Sequence, residues 1–579
     1  MIGNKIYFMV CIAVLTALIQ CRVAWAQDSS NVLMRQTSEV HDLMVHFEAD
    51  KGSLERFYVV ANSPERRERF RSLYNDYVSK LQALPFEKMS VEGRVDYLLE
   101  KRNLENELRL LDKEASEFNQ IKSLIPFADS IYELERLRRR GAYLEGEQVA
   151  AKFRQFQKDI LNAEAVLQKA APLARNLAKR AEASVTGLQS ALKSVFEFYN
   201  GYDPGFSWWV PKPYRVVDSL LADYASLFKN RVAATQKNDS SGIFGNPIGR
   251  DELIRQLQFE MIPYSPEEII EIANREFAWC DAEMLKASAA MGFGDKWKLA
   301  LEKVKNSYVP EGRQPQMILQ LYNESVDFIK KHDLVSIPPL AEETWRMEMM
   351  SPEQQLVSPF FLGGEQILIA YPTNNMDFDS RMMSMRGNNP HFSRATVHHE
   401  LIAGHRLQEF MNDRYRAYRN FYTPFWTEGW SLYWEFILWD LGFPQSPEDR
   451  IGMLFWRMHR CARIIFSLNY HLGTWTPQQC IDFLVDRVGH ERANAEGEVR
   501  RSFTGGYGPL YQIAYMLGGQ QFYALKKELV DSGKMSFRQF HDTILRENNM
   551  PVEMVRAIMT HQDLSRNFKS SWRFYAGKK

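Results

Sequence analysis

Long stretches in which apolar residues recur every three or four positions dominate the chain. The clearest runs from Val91 to Lys193 and contains few glycines and prolines. Another covers Ser265–Ala290, where Ser265 precedes Pro266 and two glutamates follow, which is typical of a helix start. Since this spacing puts apolar side chains on one face of a helix, it predicts long amphipathic helices and a mainly α fold.

Segments rich in glycine, proline, asparagine and aspartate interrupt these stretches and predict connectors. They lie at Tyr199–Tyr214, Lys237–Arg250 and Tyr308–Pro315. One strand is predicted, Gln366–Tyr371, because a β-favouring run stands between a Gly-Gly pair and a proline. We interpret it as a short edge strand that either pairs with an extended peptide or is only structural. The polar segment Thr373–Ser393 after it has the length of a functional loop.

The N-terminus has the pattern of an export signal. A basic residue precedes the apolar run Ile6–Ile19, and Ala24 and Ala26 supply the small residues that signal peptidase requires. This run of 14 residues is shorter than the roughly 20 that span a bilayer, so an uncleaved anchor is disfavoured. Attachment of a lipid at Cys21 is a further alternative, although Gln20 is large for the position before such a cysteine. We expect residues 1–26 to be a cleaved signal peptide and the mature chain, not inserted in a membrane, to act in the periplasm or outside the cell.

Charge and cysteine content exclude several classes of protein. The 72 Lys and Arg residues balance 72 Asp and Glu residues, so the chain has no basic surplus with which to bind nucleic acid. With 45% hydrophobic and 13% aromatic residues, it is neither disordered nor of low complexity. The cysteines that remain after cleavage, Cys280, Cys461 and Cys480, allow at most one disulfide and form no Cys-x-x-Cys metal motif.

The segment Thr396–Gln408 carries the densest set of candidate metal ligands. It contains three of the twelve histidines of the chain, His398, His399 and His405, together with Glu400. In zincins, His-Glu-x-x-His places two imidazoles one turn apart on a helix, with the glutamate beside the metal-bound water. Here the second histidine follows His399 at i+6, roughly 240° around and 9 Å along an ideal helix. A regular helix therefore cannot bring these two imidazoles to one ion.

Two arrangements could bring a pair of these histidines to one metal ion despite this spacing. In the favoured one, the helix breaks at Ala403-Gly404, where glycine permits a sharp change of direction, and His405 turns back toward His399. In the other, His398 pairs with His405 at i+7, which restores a common face. The rings then lie two turns apart, too far for two bonds of about 2.1 Å to one ion. We therefore expect a broken helix.

A pair of carboxylates on a second predicted helix completes the candidate site. Glu428 follows His405 by 23 residues, and Glu435 lies seven residues further, on the same helical face. Side-by-side packing of the two helices would present His399, His405 and Glu428 to one zinc ion per chain and leave a position open for water. Glu435 would then orient a ligand. The same donors accept other divalent ions.

These motifs resemble those of a bacterial family catalogued as domain of unknown function 885. The segment His399–Gln408 is similar to the family pattern HExxPGHxLQ, and Glu428–Glu435 is similar to EGWALYxE. Similarity also covers Arg463–Trp475 and Arg501–Gly518, and weaker similarity extends back toward residue 90. The family is placed among gluzincin-type metallopeptidases. The resemblance therefore implies a large helical zincin-like architecture with a deep cleft and a short β edge near the active site.

Candidate catalytic roles follow from the motif and from the resemblance. If zinc is bound, Glu400 is expected to accept a proton from its water. Matching positions in the family make His471, Tyr515 and Arg501 candidate donors to the oxyanion that develops during hydrolysis. The chain also departs from the family pattern: a proline, an aspartate, a glycine and a glutamine are replaced by Ala403, Ser467, Asn469 and Tyr511.

We expect residues 27–579 to form one large helical metallopeptidase-like domain, with an N-terminal helical subdomain at 27–236 and a catalytic part at 237–579. The expected activity is zinc-dependent hydrolysis of short peptides or small amides, with Glu400 as general base. Two alternatives remain open. One is a non-catalytic periplasmic peptide-binding protein that keeps the scaffold, motivated by the departures at Ala403, Ser467 and Tyr511. The other is a metal hydrolase of non-peptide amides or esters.

Overall fold

The structure is a computed structural model that describes residues 38–232, 239–355 and 360–575. The predicted signal peptide, its cleavage site after Ala26 and the alternative lipid site at Cys21 lie outside the described residues. Within those ranges, no helix has both the length and the apolar character needed to cross a membrane. The chain is mainly α-helical, as the spacing of apolar residues predicts.

Amphipathic helices make up the described chain before residue 233, including the predicted run from Val91. Their starts are encoded locally, because the side chain of Ser63 accepts a hydrogen bond from the Arg66 amide at 3.3 Å and that of Ser90 accepts one from the Gly93 amide at 3.1 Å. The helices are α1 (His41–Phe57), α2 (Pro64–Gln82), α3 (Val91–Ile121), α4 (Ala128–Arg139), α5 (Gly146–Lys169), α6 (Arg175–Tyr199), α7 (Pro204–Trp209) and α8 (Pro211–Asn230).

Helices also dominate the chain after residue 249. The predicted helix Ser265–Ala290 begins at Pro266, because Ser265 and Glu268 form a capping box. The helices are α9 (Arg250–Phe259), α10 (Pro266–Ala290), α11 (Trp297–Lys305), α12 (Gln314–Lys331), α13 (Pro339–Glu343), α14 (Pro352–Gln355), α15 (Phe378–Gly387), α16 (Pro390–Glu400), α17 (His405–Asn412), α18 (Pro424–Asp440), α19 (Pro447–His471), α20 (Pro477–Phe483), α21 (Arg492–Thr504), α22 (Tyr511–Leu529), α23 (Phe537–Arg546) and α24 (Val552–Met559).

Two of the predicted irregular segments contain helices. The expected connector Tyr199–Tyr214 includes α7 and the start of α8, and the expected loop Thr373–Ser393 includes α15 and the start of α16. In both segments the polar residues are helix caps: the side chains of Asp203, Asp377 and Asn389 accept hydrogen bonds from amides of the following turn. The same residue types favour turns, so composition alone does not separate the two structures.

The predicted strand is shorter than expected and is not a free edge. Strand β2 (Gln366–Ile369) pairs in parallel with β1 (Arg346–Met349), in the register Arg346 opposite Gln366. On its other side, Leu368 exchanges two backbone hydrogen bonds with Leu362, at 2.7 and 3.2 Å. Because both sides of β2 carry a partner, this strand has little backbone left with which to pair with a peptide.

Two clusters of buried apolar side chains lie along the chain. The larger is built from α1, α2, the start of α3 and most elements after residue 243. The smaller is built mainly from the end of α3 and from α4–α8. From α3 onward the clusters change twice, between Leu111 and Phe118 within α3 and again between Phe228 and Ile243. The boundary that the sequence places at residue 236 falls in the second interval, whereas α1, α2 and the start of α3 belong to the larger cluster, so that the long helix α3 contributes to both.

Glu100 on α3 is a buried carboxyl group whose ionisation opposes folding. It is 4% exposed and its Oε1 has no hydrogen-bond partner among the described residues. Burial, reinforced by Glu48 and Asp96, raises the pKa of Glu100 to about 8. The folded state therefore holds this proton more tightly than the unfolded state does, and stability is lost as pH rises from the ordinary pKa of a glutamate toward 8.

We predict that Glu100→Gln raises the melting temperature much more at pH 8.5 than at pH 5. Each unit of pKa difference corresponds to about 1.4 kcal/mol, so the stabilisation at pH 8.5 reaches a few kcal/mol. Thermal unfolding of both proteins at the two pH values measures it. Glu105→Gln, on an exposed position of the same helix, is the control. An equal gain at both pH values would show that ionisation of Glu100 is not the cause.

Candidate metal centre

The helix that carries the first candidate ligands breaks immediately after Glu400. Helix α16 ends there, the Ile402–Ala403 peptide bond is cis, and α17 begins at His405. The Gly404 amide donates to the His398 carbonyl at 3.0 Å, and the Trp430 indole donates to the Ala403 carbonyl at 2.8 Å. The predicted break is therefore confirmed, and it forms with alanine at the position where the family pattern has proline.

The break brings two imidazoles and one carboxylate together. Nε2 of His399 lies 3.4 Å from Oε2 of Glu428, and Nε2 of His405 lies 3.3 Å from the same oxygen. One ligand atom from each of the three side chains lies within 4.8 Å of the other two. All three residues are buried, with Glu428 supplied by α18. The three residues that the sequence predicts as ligands thus converge on one point.

The donor types and their separations fit a divalent metal ion. Zinc binds imidazole nitrogen and carboxylate oxygen at about 2.0–2.2 Å, and in a tetrahedral site such ligand atoms lie about 3.3–3.5 Å apart. The two His–Glu428 distances fall in this range. Oε2 of Glu428 is also buried and forms no well-oriented hydrogen bond in the described chain, which is costly for an ionised carboxylate when the two imidazoles beside it are neutral. A cation at this point would compensate that cost.

Two further side chains of α18 hold the imidazoles in orientation. Oε1 of Glu435 lies 2.8 Å from Nδ1 of His399, and Oγ of Ser431 lies 3.2 Å from Nδ1 of His405. The Nε2 atom of each ring is thereby left facing Glu428, the arrangement in which histidine ligands are usually held. Although burial favours the neutral acid, Arg460 and His399 lower the pKa of Glu435, which therefore stays ionised as an acceptor.

The proximity of the imidazoles and the carboxylate also shifts the pKa values of His405 and Glu428. Burial opposes protonation of His405, yet the carboxylate of Glu428 raises the pKa of this imidazole to about 9. Burial likewise opposes ionisation of Glu428, and His405 and His399 hold the pKa of the carboxyl group well below its usual range. In the absence of a metal ion, the raised pKa of His405 favours its protonated form. A metal ion bound at this point would have to displace that proton.

Helices α22 and α18 pack closely against each other at a contact formed by glycines. A Cβ on Gly518 would lie 2.1 Å from the Phe425 carbonyl oxygen, and a Cβ on Gly429 would lie 2.6 Å from backbone atoms of Gly518. Larger residues would therefore separate the two helices. Their close approach places the N-terminal half of α22 beside Glu428.

Two tyrosines of α22 reach the candidate centre. The Tyr511 hydroxyl donates a hydrogen bond to Oε1 of Glu428 and leaves Oε2 toward the imidazoles. The Tyr515 ring lies nearly parallel to that of His399, with centroids 6.1 Å apart. Tyr511, which from the sequence is only a departure from the family pattern, is thus the residue that orients the carboxylate. The helical spacing of the tyrosines is the one sequence signal for it.

Glu400 lies beside the three candidate ligands without being one of them. Its Oε2 is 4.0 Å from Nε2 of His405, and its carboxyl group lines the same cavity as the ligands. Burial raises the pKa of Glu400, an effect that His399 and His405 oppose. A carboxylate with a raised pKa is a better proton acceptor near neutral pH than an ordinary surface glutamate.

The cavity next to these side chains has a volume of about 290 Å³. Tyr515 and Arg501, both predicted as donors, line it, together with Arg460 and Arg463. Of these, Arg460 is missed from the sequence, because an arginine on a long helix has no pattern that separates it from a surface residue. The other lining residues are Phe360, Phe361, Leu362, Gly363, Thr396, Glu409, Thr427, Trp456, Tyr507 and Tyr511.

His471, the remaining predicted donor, lies away from the cavity. It ends α19, about 12 Å along the helix from Arg463, and is not among the residues that line the cavity. Its ring packs edge-on against Tyr470 and Phe503, and burial lowers its pKa to about 4. The donor role expected for His471 is therefore not supported, because the side chain does not reach the candidate ligands.

Comparison with known proteins agrees with the resemblance found in the motifs. No curated protein matches the chain. A solved structure with the same fold is a candidate lipoprotein of unknown function from Shewanella oneidensis, with a TM-score of 0.65 and 16% identity, covering 90% of this chain and 100% of that one. A candidate lipoprotein from Colwellia psychrerythraea has a TM-score of 0.56 and 14% identity, covering 90% and 98%. Residues 58–559 match the family described as "Bacterial protein of unknown function (DUF885)", and the chain therefore belongs to this family.

Proposed function

We propose that this chain is an exported, metal-dependent hydrolase of gluzincin type that cleaves short peptides. The observation that carries the proposal is the convergence of His399, His405 and Glu428, with Glu400 beside them, in one buried cavity. Two imidazoles and one carboxylate, with a further carboxylate free to act as base, form the donor set of catalytic zinc sites. Export is supported by the N-terminal sequence pattern and by the candidate lipoproteins that share the fold.

The residues of the chain divide the chemistry among them. A bound divalent ion would supply Lewis-acid activation of water and of the scissile carbonyl. Glu400 would accept the proton of the attacking water and pass it to the leaving amine. Burial raises the pKa of Tyr515, so its hydroxyl stays protonated and can donate a hydrogen bond to the developing oxyanion.

The alternative of a non-catalytic binding protein draws on the positions that depart from the family pattern. Two of these departures are compatible with a working site. The helix breaks with Ala403 in place of proline, and Tyr511 donates to Glu428 where the family has glutamine. At the third departure, Ser467 replaces an aspartate of the family pattern, and its hydroxyl lies 3.5 Å from the Pro509 carbonyl oxygen. We therefore favour the hydrolase. An ester or amide hydrolase would use the same residues and differs only in its substrate.

We predict that purified protein binds about one zinc ion per chain, hydrolyses short peptides, loses activity with a chelator and regains it with zinc. His399→Ala and His405→Ala should lose the ion, because each removes one of three ligands. His398→Ala should retain it, since that imidazole packs edge-on against Phe443 instead of facing Glu428. Elemental analysis and a peptide-library digest measure these results. Full zinc content in His405→Ala, or peptide binding without chelator-sensitive turnover, would contradict the proposal.

A further inference from the structure

Three buried arginines form one wall of the cavity that holds the candidate metal ligands. Arg460 and Arg463 lie one turn apart on α19, and Arg501 lies on α21. They are 4%, 2% and 6% exposed, respectively. A buried charge is costly unless it is paired, so the partners of each guanidinium group determine what this wall can bind.

Arg463 is the best neutralised of the three. Its Nε and Nη2 donate to the two carboxylate oxygens of Glu498 at 2.7 and 3.1 Å. Gln512 donates to the same carboxylate at 3.0 Å. Although burial opposes ionisation, Arg463 and Arg501 lower the pKa of Glu498 to about 2. Glu498 is thus a permanent carboxylate that is committed mainly to Arg463.

Arg460 is paired only weakly. Its Nη2 lies 3.4 Å from Oε1 of Glu435, and that oxygen already lies 2.8 Å from Nδ1 of His399. The Nε of Arg460 is buried and has no hydrogen-bond partner among the described residues. Glu435 therefore lies closer to the imidazole than to the guanidinium group, and the Nε donor of Arg460 stays unused by the described residues.

Arg501 is the least satisfied of the three. Its Nε lies 3.7 Å from Oε2 of Glu498, beyond hydrogen-bond distance, and is buried without a partner in the described ranges. Its guanidinium carbon lies 4.9 Å from the centroid of the Tyr507 ring. Three guanidinium groups in this wall thus contact two carboxylates, one of which is shared with an imidazole. Arg501 therefore shares Glu498 with Arg463 at a longer distance, and its Nε keeps a hydrogen-bond donor that the described residues do not use.

The acidic side chains of the cavity come from other elements. Glu400 ends α16, Glu409 lies on α17 and Glu428 on α18, the three helices that also carry the imidazoles and the groups orienting them. The arginines come from α19 and α21. The lining therefore separates into elements that carry the candidate metal ligands and elements that carry the guanidinium groups.

We propose that Arg501, assisted by Arg460, binds the α-carboxylate at the C-terminal end of a short peptide, so that the chain removes residues from that end. The inference rests on the proposed function. Guanidinium groups bind carboxylates through short, charge-assisted hydrogen bonds, and a substrate carboxylate would give a partner to the guanidinium donors that the described residues leave unused. The cavity volume of about 290 Å³ lies just below the range for ligand pockets, roughly 300–1,000 Å³. Such a cavity admits the end of a peptide more readily than its middle.

The test compares three dipeptide probes that carry a carboxylate at the C-terminus, no carboxylate, or a carboxylate on a side chain only. They are N-acetyl-Ala-Ala with a free carboxylate, its C-terminal amide, and N-acetyl-Ala-Asp amide. Calorimetric titration into zinc-loaded Glu400→Gln protein separates binding from turnover. The free-carboxylate probe should bind about tenfold to a hundredfold more tightly than either amide, the range of a charge-assisted hydrogen bond. Equal binding of all three probes, or tight binding of the aspartyl amide, would overturn the assignment.

Variants in the same background identify the residue responsible. Arg501→Gln should abolish the preference for the free carboxylate, and Arg501→Lys should restore part of it. Arg500→Gln is the matched control, since this neighbouring arginine does not line the cavity. Zinc content and melting temperature check that each variant is folded. A preference that survives in Arg501→Gln would refute the role of Arg501.

Turnover by the wild-type enzyme separates this inference from the proposed function. Hydrolysis of free and amidated peptides at equal kcat/KM would leave the hydrolase proposal standing and overturn carboxylate recognition. A binding preference without any hydrolysis would support recognition by Arg501 and refute the proposed peptidase activity.

Discussion

Replacing Glu400 with glutamine will reduce kcat for peptide hydrolysis by about 10²–10⁴-fold and leave the zinc content unchanged. The carboxylate lines the cavity but is not one of the three converging ligands, so its loss removes a proton acceptor and not a metal bond. Burial raises its pKa, which suits a base that works near neutral pH. Initial rates on a peptide substrate, with elemental analysis of the same samples, measure both parts of the prediction.

Glu409→Gln is the matched control for Glu400→Gln. It also removes a carboxylate from the lining of the cavity, and its carboxylate is not one of the three converging ligands. This variant should retain most of its activity. Equal losses in the two variants would indicate that the charge of the cavity, and not proton transfer by Glu400, controls the rate. Loss of zinc in Glu400→Gln would instead make Glu400 a ligand.

Replacing Gly404 with alanine will abolish metal binding. A Cβ at this position would lie 1.8 Å from the His399 carbonyl oxygen, so the backbone must move where the chain turns back toward that residue. Because His399 and His405 stand on either side of the break, such a movement separates the two imidazoles. We expect no stoichiometric zinc and a stability loss of about 3 kcal/mol or more, measured by elemental analysis and thermal unfolding.

Gly508→Ala tests whether this effect is specific to the break. Gly508 precedes α22, the helix that carries Tyr511 and Tyr515, and a Cβ there would meet no atom within 4 Å. The variant should bind zinc as the wild type does. Stoichiometric zinc in Gly404→Ala would mean that the chain closes the site without the tight turn at residue 404.

The helices and the converging ligands are the parts that local sequence signals predict. Apolar periodicity and capping residues such as Ser90 and Ser265 define the ends of long helices. The six-residue spacing of His399 and His405 is incompatible with a regular helix, so a shared ion requires a break, and the glycine between them indicates where. These arguments need only the geometry of one or two adjacent helices.

The arginines that line the cavity and the position of His471 away from it depend on packing between distant segments. Arg460 and Arg501 meet at the cavity because α19 and α21 pack beside α18 and α22, a relation that no local pattern encodes. For His471, a matching motif gives a position on α19 but not how far that helix extends beyond the cavity. Strand β1 is missed for a related reason, since its four residues become a strand only by pairing with β2.

Helix α18 acts as a single rigid support for the candidate centre. It supplies one ligand, Glu428, and also Ser431 and Glu435, which fix the two imidazoles. Any thermal or mutational displacement of this helix therefore disturbs all three donors together. Release of the ion should accordingly be an abrupt event, coupled to local melting of one buried segment, and not a stepwise loosening of one bond after another.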